Sequence, residues 1–277
     1  MPELPEVQTV VDVLAPQLIG RRVEKAIVYN AQVLANQDTQ TFTKAVCGSV
    51  FVSMTRRGKY MVLSLDSGCR LIIHLRMTGC LLVTNTDDVF EKHTHVVLQL
   101  QEGQELRFMD QRRFGRFWLL QKNETLPAME KLGIEPSDAA LTADYLRMYM
   151  HGRSKAVKEC LLDQALVAGI GNIYSDEILH RAKIYPAKKA CSLSDAEYAL
   201  LAQLIPQTMA YYTETNAISP EKYLKTRGRD YQNTPYLRVY GRAGQKCLLC
   251  GTTLEKITVG GRGSVFCPSC QKPDKNA

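Results

Sequence analysis

Residues Cys247 to Cys270 read CLLCGTTLEKITVGGRGSVFCPSC. Two C-x2-C pairs stand sixteen residues apart. Each pair brings two thiolates out of one tight turn, and the intervening GTTLEKITVGGRGSVF has the strand, glycine turn, strand pattern of a hairpin. The spacing predicts a zinc ribbon in which Cys247, Cys250, Cys267 and Cys270 hold one ion. Four thiolates leave no open position for water, so that zinc is structural rather than catalytic. At the hairpin tip, GGRG sets Arg262 between glycines, where backbone can approach a ligand and a guanidinium can meet a phosphate bidentately. Taken alone, a solvated arginine in a glycine turn explains that residue equally well.

Working outward, positive charge gathers around this module. The formal net charge is +7. From Tyr236 onward Arg238, Arg242, Lys246, Lys256, Arg262, Lys272 and Lys275 face only Glu255 and Asp274. That distribution suits a polyanionic partner. The remaining cysteines, Cys47, Cys69, Cys80, Cys160 and Cys191, are scattered singly and read as buried free thiols.

Upstream of the ribbon, LTADYLRMYMHG, SKAVKECLL, NIYSDEILHRA and LSDAEYALLAQLI are helical, the last opening with Ser194 and Glu197 in capping-box spacing. Helix extends to about Tyr223. Within VAGIGNIYSDE, glycines precede a helix whose first turn holds Asn172, and free N–H groups at a helix start bind phosphate. The third glycine and the preceding strand of a dinucleotide fingerprint are missing.

From Arg22 to Gln121 the pattern becomes short β-rich runs, VEKAIVY, SVFVSM, KYMVLSL, RLIIHLRM, HVVLQL, ELRFMD and GRFWLL, which predict an antiparallel sandwich. NETLPAMEKLGIEPSDAA follows as a linker. At the N-terminus, Val7, Val10, Val11, Leu14 and Leu18 line one face of a helix that starts near Pro5 and stops near Gly20. The acidic start is no signal peptide, and no apolar run reaches membrane-spanning length. A cytoplasmic protein with no membrane partner is expected. With 277 residues and 45% apolar composition, the chain can form more than one domain without disulfides.

Together, MPELPEV, RRGKY, HLRMTG, KHTHV, LRFMDQRRFGR, LLDQALVAGIGNIYSDEIL, VYGRAGQKC and GGRGSVFCPSCQ resemble the bacterial formamidopyrimidine-DNA glycosylases nearly end to end. The resemblance implies an α+β multidomain fold. Its parts would be an N-terminal catalytic β-sandwich with a flanking N-terminal helix (1–122), a linker (123–136), a helix-two-turn-helix DNA-binding domain (137–224), a lesion-capping loop and connector (225–241), and a zinc finger (242–273). It further implies a bifunctional glycosylase and abasic-site lyase of base excision repair, monomeric and acting at the nucleoid. The partner would be double-stranded DNA containing an oxidised base or an abasic site, and the excised bases formamidopyrimidines and 8-oxoguanine.

The same resemblance assigns roles. Removal of Met1 would expose Pro2 as a secondary amine, and an α-amino group with a pKa of about 8 is partly unprotonated at neutral pH. Pro2 would attack C1′ of an everted nucleotide and form an iminium that drives β,δ-elimination. Glu3 matches the acid catalyst, and Glu6 a supporting carboxylate that also suits a helix first turn. Lys59 matches a lysine contacting phosphate and lesion, placed by a hairpin turn. His74, Lys158, Asn172 and Arg262 match phosphate-gripping positions, with Arg262 also close to the chemistry. Met77, Arg112 and Phe114 match residues that fill the gap left by the flipped nucleotide, although pattern alone puts Met77 and Phe114 in the core. His93 and His95 lie in no metal-ligand pattern and read as structural.

Departures from the family pattern are Gln8, Ile134 and a shortened stretch, QNTPYLR, between RDY and VYGR. The capping segment from Lys225 to Tyr236 is then either too short to close over a base or is replaced in that task by the residues preceding RGRDY. Two other readings remain, an endonuclease VIII-like enzyme for oxidised pyrimidines and a non-catalytic zinc-ribbon DNA-binding protein. Intact Pro2, Glu3 and Lys59 weigh against the second.

Overall fold

Glu3 adopts extended backbone (φ −105°, ψ −169°), and Pro5 falls in the first turn of the helix that follows, α1 (Leu4–Leu18). The predicted face, Val7, Val10, Val11, Leu14 and Leu18, is buried throughout. This computed structural model describes residues 2–273; Met1 and residues 274–277, with the charges of Asp274 and Lys275, lie outside the described residues.

After α1 come β1 (Val23–Val28), α2 (Thr39–Val46), β2 (Phe51–Arg57), β3 (Tyr60–Leu65), β4 (Arg70–His74), β5 (Gly79–Asn85), β6 (Thr94–Leu100), β7 (Gln104–Asp110) and β8 (Arg116–Leu120). They form two four-stranded sheets, ordered β1-β6-β7-β5 and β2-β3-β4-β8, with every pairing antiparallel. The sandwich predicted from the β-rich runs is present. Its core joins both sheets to the apolar face of α1, including Leu14, Leu63, Ile73, Leu81, Phe108 and Phe117. Helix α2 departs from the strand-rich reading. Asp38 caps it by accepting from Thr41 N–H at 2.9 Å, and only Phe42 and Val46 turn inward, too short a pattern to stand out in sequence.

The segment expected as a linker contains a one-turn helix, α3 (Pro127–Glu130). Beyond it lie α4 (Ala143–Met150), α5 (Val157–Leu162), α6 (Asn172–Ala182), α7 (Asp195–Thr215), α8 (Pro220–Lys225), β9 (Glu255–Val259) and β10 (Arg262–Phe266). Ser194 and Glu197 form the predicted box at the start of α7: Ser194 N–H donates to Glu197 Oε2 at 2.8 Å, and Glu197 N–H donates to Ser194 Oγ at 3.3 Å. Strands β9 and β10 make the expected hairpin, Arg262 pairing with Val259. Among the described residues, no helix is long and apolar enough to cross a membrane.

The chain divides into two compact units, one of residues up to Glu130 with Asn216–Gln232, the other of Lys131–Thr215 with the residues from Asn233 onward. Residues 216–232 therefore belong with the sandwich, not with the helices that precede them. Two contacts explain this: Asn216 Nδ2 donates to Thr9 Oγ1 at 2.8 Å, and Tyr223, in the sandwich core, donates its hydroxyl to Leu81 O at 3.0 Å.

All nine cysteines are free. Cys69, Cys80 and Cys160 are buried as expected, but Cys47 and Cys191 are exposed. The reason is local: Cys47 ends α2 just before Gly48, and Cys191 lies in a short surface turn.

Because Tyr223 anchors the returning segment through both ring and hydroxyl, Tyr223→Ala is expected to cost about 3–5 kcal/mol in urea unfolding, the range for a large buried aromatic. A loss below about 1 kcal/mol, the size of one net hydrogen bond, would show that the segment is held elsewhere.

Candidate functional site

In the first unit, Pro2, Glu3 and Glu6 sit together at the start of α1. Glu3 is 1% exposed, and its N–H donates to Glu6 Oε2 at 2.8 Å. Glu6 thus caps the helix, as the dipole reading allowed, and it also reaches a cleft. That cleft is narrow and is lined by Pro2, Glu6, Cys80, Tyr223, Gly228, Asp230 and Tyr231 among others. Gly228, Asp230 and Tyr231 of the short capping segment, which precede the missing stretch, cross its wall.

Gly228 makes the crossing possible. Its φ is +61°, and a Cβ there would lie 2.6 Å from the Tyr223 hydroxyl and 2.9 Å from Cys80 Sγ. Beside it, Cys80 Sγ–H donates to Arg227 O at 3.0 Å, and the Arg227 guanidinium pairs with Glu91. Burial pushes the Cys80 thiol up to about 12. Burial first, and then the Glu6 carboxylate, raise the Tyr231 phenol above its ordinary value. Both therefore remain neutral donors at physiological pH.

Lys59 occupies the two-residue turn between β2 and β3, where Gly58 has φ +55° and Arg57 pairs with Tyr60. The predicted hairpin placement holds. At the end of β4, His74 is buried; its Nδ1 accepts the Arg76 N–H at 3.0 Å, and its ring packs edge-on to Tyr60 at 4.7 Å. Burial, followed by the charges of Arg76 and Lys59, drives the imidazole down to about 3. His74 is neutral, with its proton on Nε2 and available for donation. The substituted Gln8 accepts from Arg56 Nε at 2.9 Å, so it retains a polar partner on β2.

Met77, Arg112 and Phe114 lie on the turns after β4 and β7, and all three are exposed. The core placement that pattern alone suggested for Met77 and Phe114 is incorrect, because both are on turns rather than on strand or helix faces. The Arg112 guanidinium stands 4.6 Å above the Phe114 ring. Sequence reasoning missed the residue that shapes this turn, Asp110. Its buried carboxylate accepts from the Thr78 hydroxyl, from Arg112 N–H at 3.1 Å and from Gly115 N–H at 2.7 Å. An aspartate immediately before QRRFG is the available signal. His95 Nε2–H donates to Asp110 O at 2.7 Å and His93 O accepts Asp110 N–H at 3.0 Å, so both histidines support the backbone.

In the second unit, Asn172 is the first residue of α6, and its Nδ2 donates to Gly263 O at 3.1 Å. Arg262 is exposed at the tip of the hairpin. Lys158 departs from its expected phosphate-gripping place. Its side chain is fully buried in the first turn of α5, with Nζ 2.6 Å from Asp176 Oδ1 and 3.1 Å from Gly263 O. Asp176 also accepts from Ser264 Oγ at 2.6 Å and Val265 N–H at 3.0 Å. Burial raises the Asp176 carboxyl while the Lys158 ammonium opposes the rise. Its neighbour Glu177, likewise unforeseen, accepts from the backbone N–H groups of Arg238, Val239 and Tyr240 at 2.9–3.1 Å and from Tyr212 hydroxyl at 2.6 Å. Burial, reinforced by Glu177, raises the Tyr212 phenol.

The four predicted ligand cysteines converge, with Sγ atoms all within 4.8 Å of one another. A tetrahedral ZnS4 centre with bonds of about 2.3 Å separates its sulfurs by roughly 3.8 Å, so the set fits one zinc. Leu249 N–H donates to Cys247 Sγ and Cys270 N–H to Cys267 Sγ, each at 3.4 Å, supporting thiolates. The ion closes the ribbon and supplies no chemistry.

Comparison with known proteins bears on this whole length. Three families match in succession: formamidopyrimidine-DNA glycosylase N-terminal domain over residues 1–117, formamidopyrimidine-DNA glycosylase H2TH domain over 132–222, and the zinc finger found in FPG and IleRS over 244–273. A formamidopyrimidine-DNA glycosylase of Desulforamulus reducens is 40% identical, covering 98% of this chain and 99% of its own. One from Moorella thermoacetica is 42% identical over 93% and 94%. A solved Lactococcus lactis Fpg in complex with Fapy-dG-containing DNA superposes with TM-score 0.90 at 33% identity, over 98% of this chain and 100% of its own. Another structure of that protein, bound to DNA containing an oxidised pyrimidine, gives TM-score 0.91 at 33% identity over the same shares.

Two measurements follow from the geometry. A histidine held near 3 when folded and near 6.5 when unfolded contributes stability that is complete above pH 6.5 and lost as pH falls towards 3. The melting temperature should therefore fall more between pH 7 and pH 5 in the wild type than in His74→Asn; parallel profiles would contradict the neutral, buried imidazole. Metal analysis should find one zinc per chain, and Cys267→Ser should release it and weaken DNA binding more than it disturbs the sandwich. Protein purified without chelator and carrying well under one zinc would contradict the assignment.

Proposed function

This chain belongs to the formamidopyrimidine-DNA glycosylase family, and on that premise we propose that it excises oxidised purines from duplex DNA and cleaves the resulting abasic site, with Pro2 as nucleophile. The observation that carries the reading is the cleft where Pro2 and Glu6 meet Gly228, Asp230 and Tyr231, with Glu3 buried beside them.

With Met1 removed, the lone pair of the Pro2 amine forms a bond to C1′ as the glycosidic bond breaks, and the base departs with its electron pair and a proton. Glu3 protonates the deoxyribose ring oxygen, the C1′–O4′ bond breaks to leave a hydroxyl while the nitrogen lone pair forms the C=N bond, and Glu3 shuttles protons thereafter. The resulting iminium acidifies the C2′ hydrogen; its loss expels the 3′ phosphate, and a second elimination expels the 5′ phosphate. Lys59 contacts phosphate and lesion, and Arg262 meets phosphate near the chemistry. Asn172 and the neutral Nε2–H of His74 add phosphate donors that position without specifying sequence. Met77, Arg112 and Phe114, exposed on adjoining turns, fill the space of the everted nucleotide, Arg112 facing the orphaned cytosine. The enzyme works as a monomer on chromosomal DNA at the nucleoid.

A damaged base meets the short segment that carries Gly228, Asp230 and Tyr231 rather than the long capping loop usual in the family. Discrimination of 8-oxoguanine from guanine needs many contacts, whereas a ring-opened purine differs more. In single-turnover reactions on matched duplexes, abasic sites should be cleaved robustly, formamidopyrimidine opposite cytosine excised well, and 8-oxoguanine opposite cytosine more slowly. Oxidised pyrimidine removed faster than formamidopyrimidine would establish the endonuclease VIII-like reading, and no incision of any lesion would establish a binding protein. Glu3→Gln should still bind lesion DNA but lose about 10²–10⁴-fold in base excision.

A further inference from the structure

We propose that Lys158 and Asp176 are positioning residues for Arg262: their buried pair pins the backbone next to Arg262 and so sets where its guanidinium meets a phosphate. The proposal rests on the phosphate-gripping reading of Arg262 given above.

An isolated two-stranded hairpin is marginal in water. Here zinc secures the base of the hairpin through Cys250 and Cys267, but Arg262 lies five residues from Cys267, about 17 Å along an extended strand. The metal alone cannot hold that distant tip, where Gly260 and Gly261 both have positive φ. Side chains from α5 and α6 do so. Gly263 O accepts from Lys158 Nζ and Asn172 Nδ2, each at 3.1 Å. The next two residues bond to Asp176, Ser264 through its hydroxyl and Val265 through its N–H. A Cβ on Gly260 would lie 2.6 Å from Glu159 Cγ, so the turn itself rests against α5. Three consecutive residues after Arg262 are thus immobilised, and strand alternation puts Arg262 on the same face of β10 as Ser264.

The charge on Lys158 is spent inside the protein. Its side chain and that of Asp176 are both 0% exposed at 2.6 Å separation. A pair of apolar residues could fill the same volume at no loss of stability, but it would leave Gly263 O and Val265 N–H without these partners. The directional bonds therefore serve register rather than affinity for DNA directly.

A double-mutant cycle tests this on the zinc-loaded full chain, using a duplex with a tetrahydrofuran abasic-site analogue and fluorescence anisotropy across a salt series. Arg262→Ala should weaken binding and reduce the slope of log K against log salt by about 0.9, the share of one phosphate. Lys158→Met should weaken binding about 5- to 30-fold in the wild-type background, yet less than about 2-fold when Arg262 is already alanine. Asp176→Asn, which keeps side-chain shape, should show the same coupling, and it replaces Lys158→Met if that variant fails to retain zinc. Equal losses in both backgrounds, with a further fall in slope for Lys158→Met, would overturn the proposal and make Lys158 a phosphate ligand. Equal losses without a change in slope would overturn it in favour of general destabilisation. Wild-type binding by Arg262→Ala would overturn the Arg262 reading, and the proposal with it.

Discussion

Asp176 and Glu177 are adjacent on α6, and both are buried. A carboxylate inside protein must find charged or hydrogen-bonding partners, or the cost of desolvation rules it out. Neighbours on a helix point about 100° apart, so these two reach different segments. Asp176 takes Lys158 and the hairpin strand β10. Glu177 takes Tyr212 and three successive N–H groups of residues 238–240, the chain leading into the ribbon. One turn of helix therefore holds both the approach to the zinc module and its tip. With zinc closing the far end, the position of Arg262 is determined from three sides.

The first unit uses a different economy of charge. Burial keeps three groups at its cleft and turns neutral, His74, Cys80 and Tyr231, beside the carboxylates of Glu6 and Asp230. Neutral donors can face a phosphate or a damaged base without repelling the cations that also surround DNA. The Asp110 carboxylate accepts from the Thr78 hydroxyl and from two N–H groups that shape the Arg112–Phe114 turn. Met77 and Phe114 are the apolar side chains that these turns expose.

Much of the fold was legible because period and punctuation were strong. The face of α1, the β-rich runs and the C-x2-C pairs each specify their element by spacing alone. Helix α2 was not, because its inward face is only Phe42 and Val46. The return of residues 216–232 to the sandwich depends on Asn216 meeting Thr9 and Tyr223 meeting Leu81, pairings distant in sequence that no local pattern encodes. Site residues followed the same rule. Lys59 could be put on its turn from RRGKY, and the metal ligands from their spacing. The burial of Lys158 could not be foreseen, since its partner Asp176 is on another helix and a lysine in SKAVKECLL looks like any surface lysine. Exposed Cys47 and Cys191 mislead for a related reason, as cysteine's usual burial is overridden by placement at a helix end and in a turn.

The central claim is that the N-terminal amine is the reacting group. Borohydride reduction during turnover of an abasic-site duplex, followed by proteolysis and mass spectrometry of the cross-linked peptide, locates the bond directly. The account predicts an adduct on the nitrogen of Pro2 in chains lacking Met1, and none from Pro2→Gly at comparable yield. An adduct mapped to a lysine side chain, or full trapping by chains that retain Met1, would contradict it.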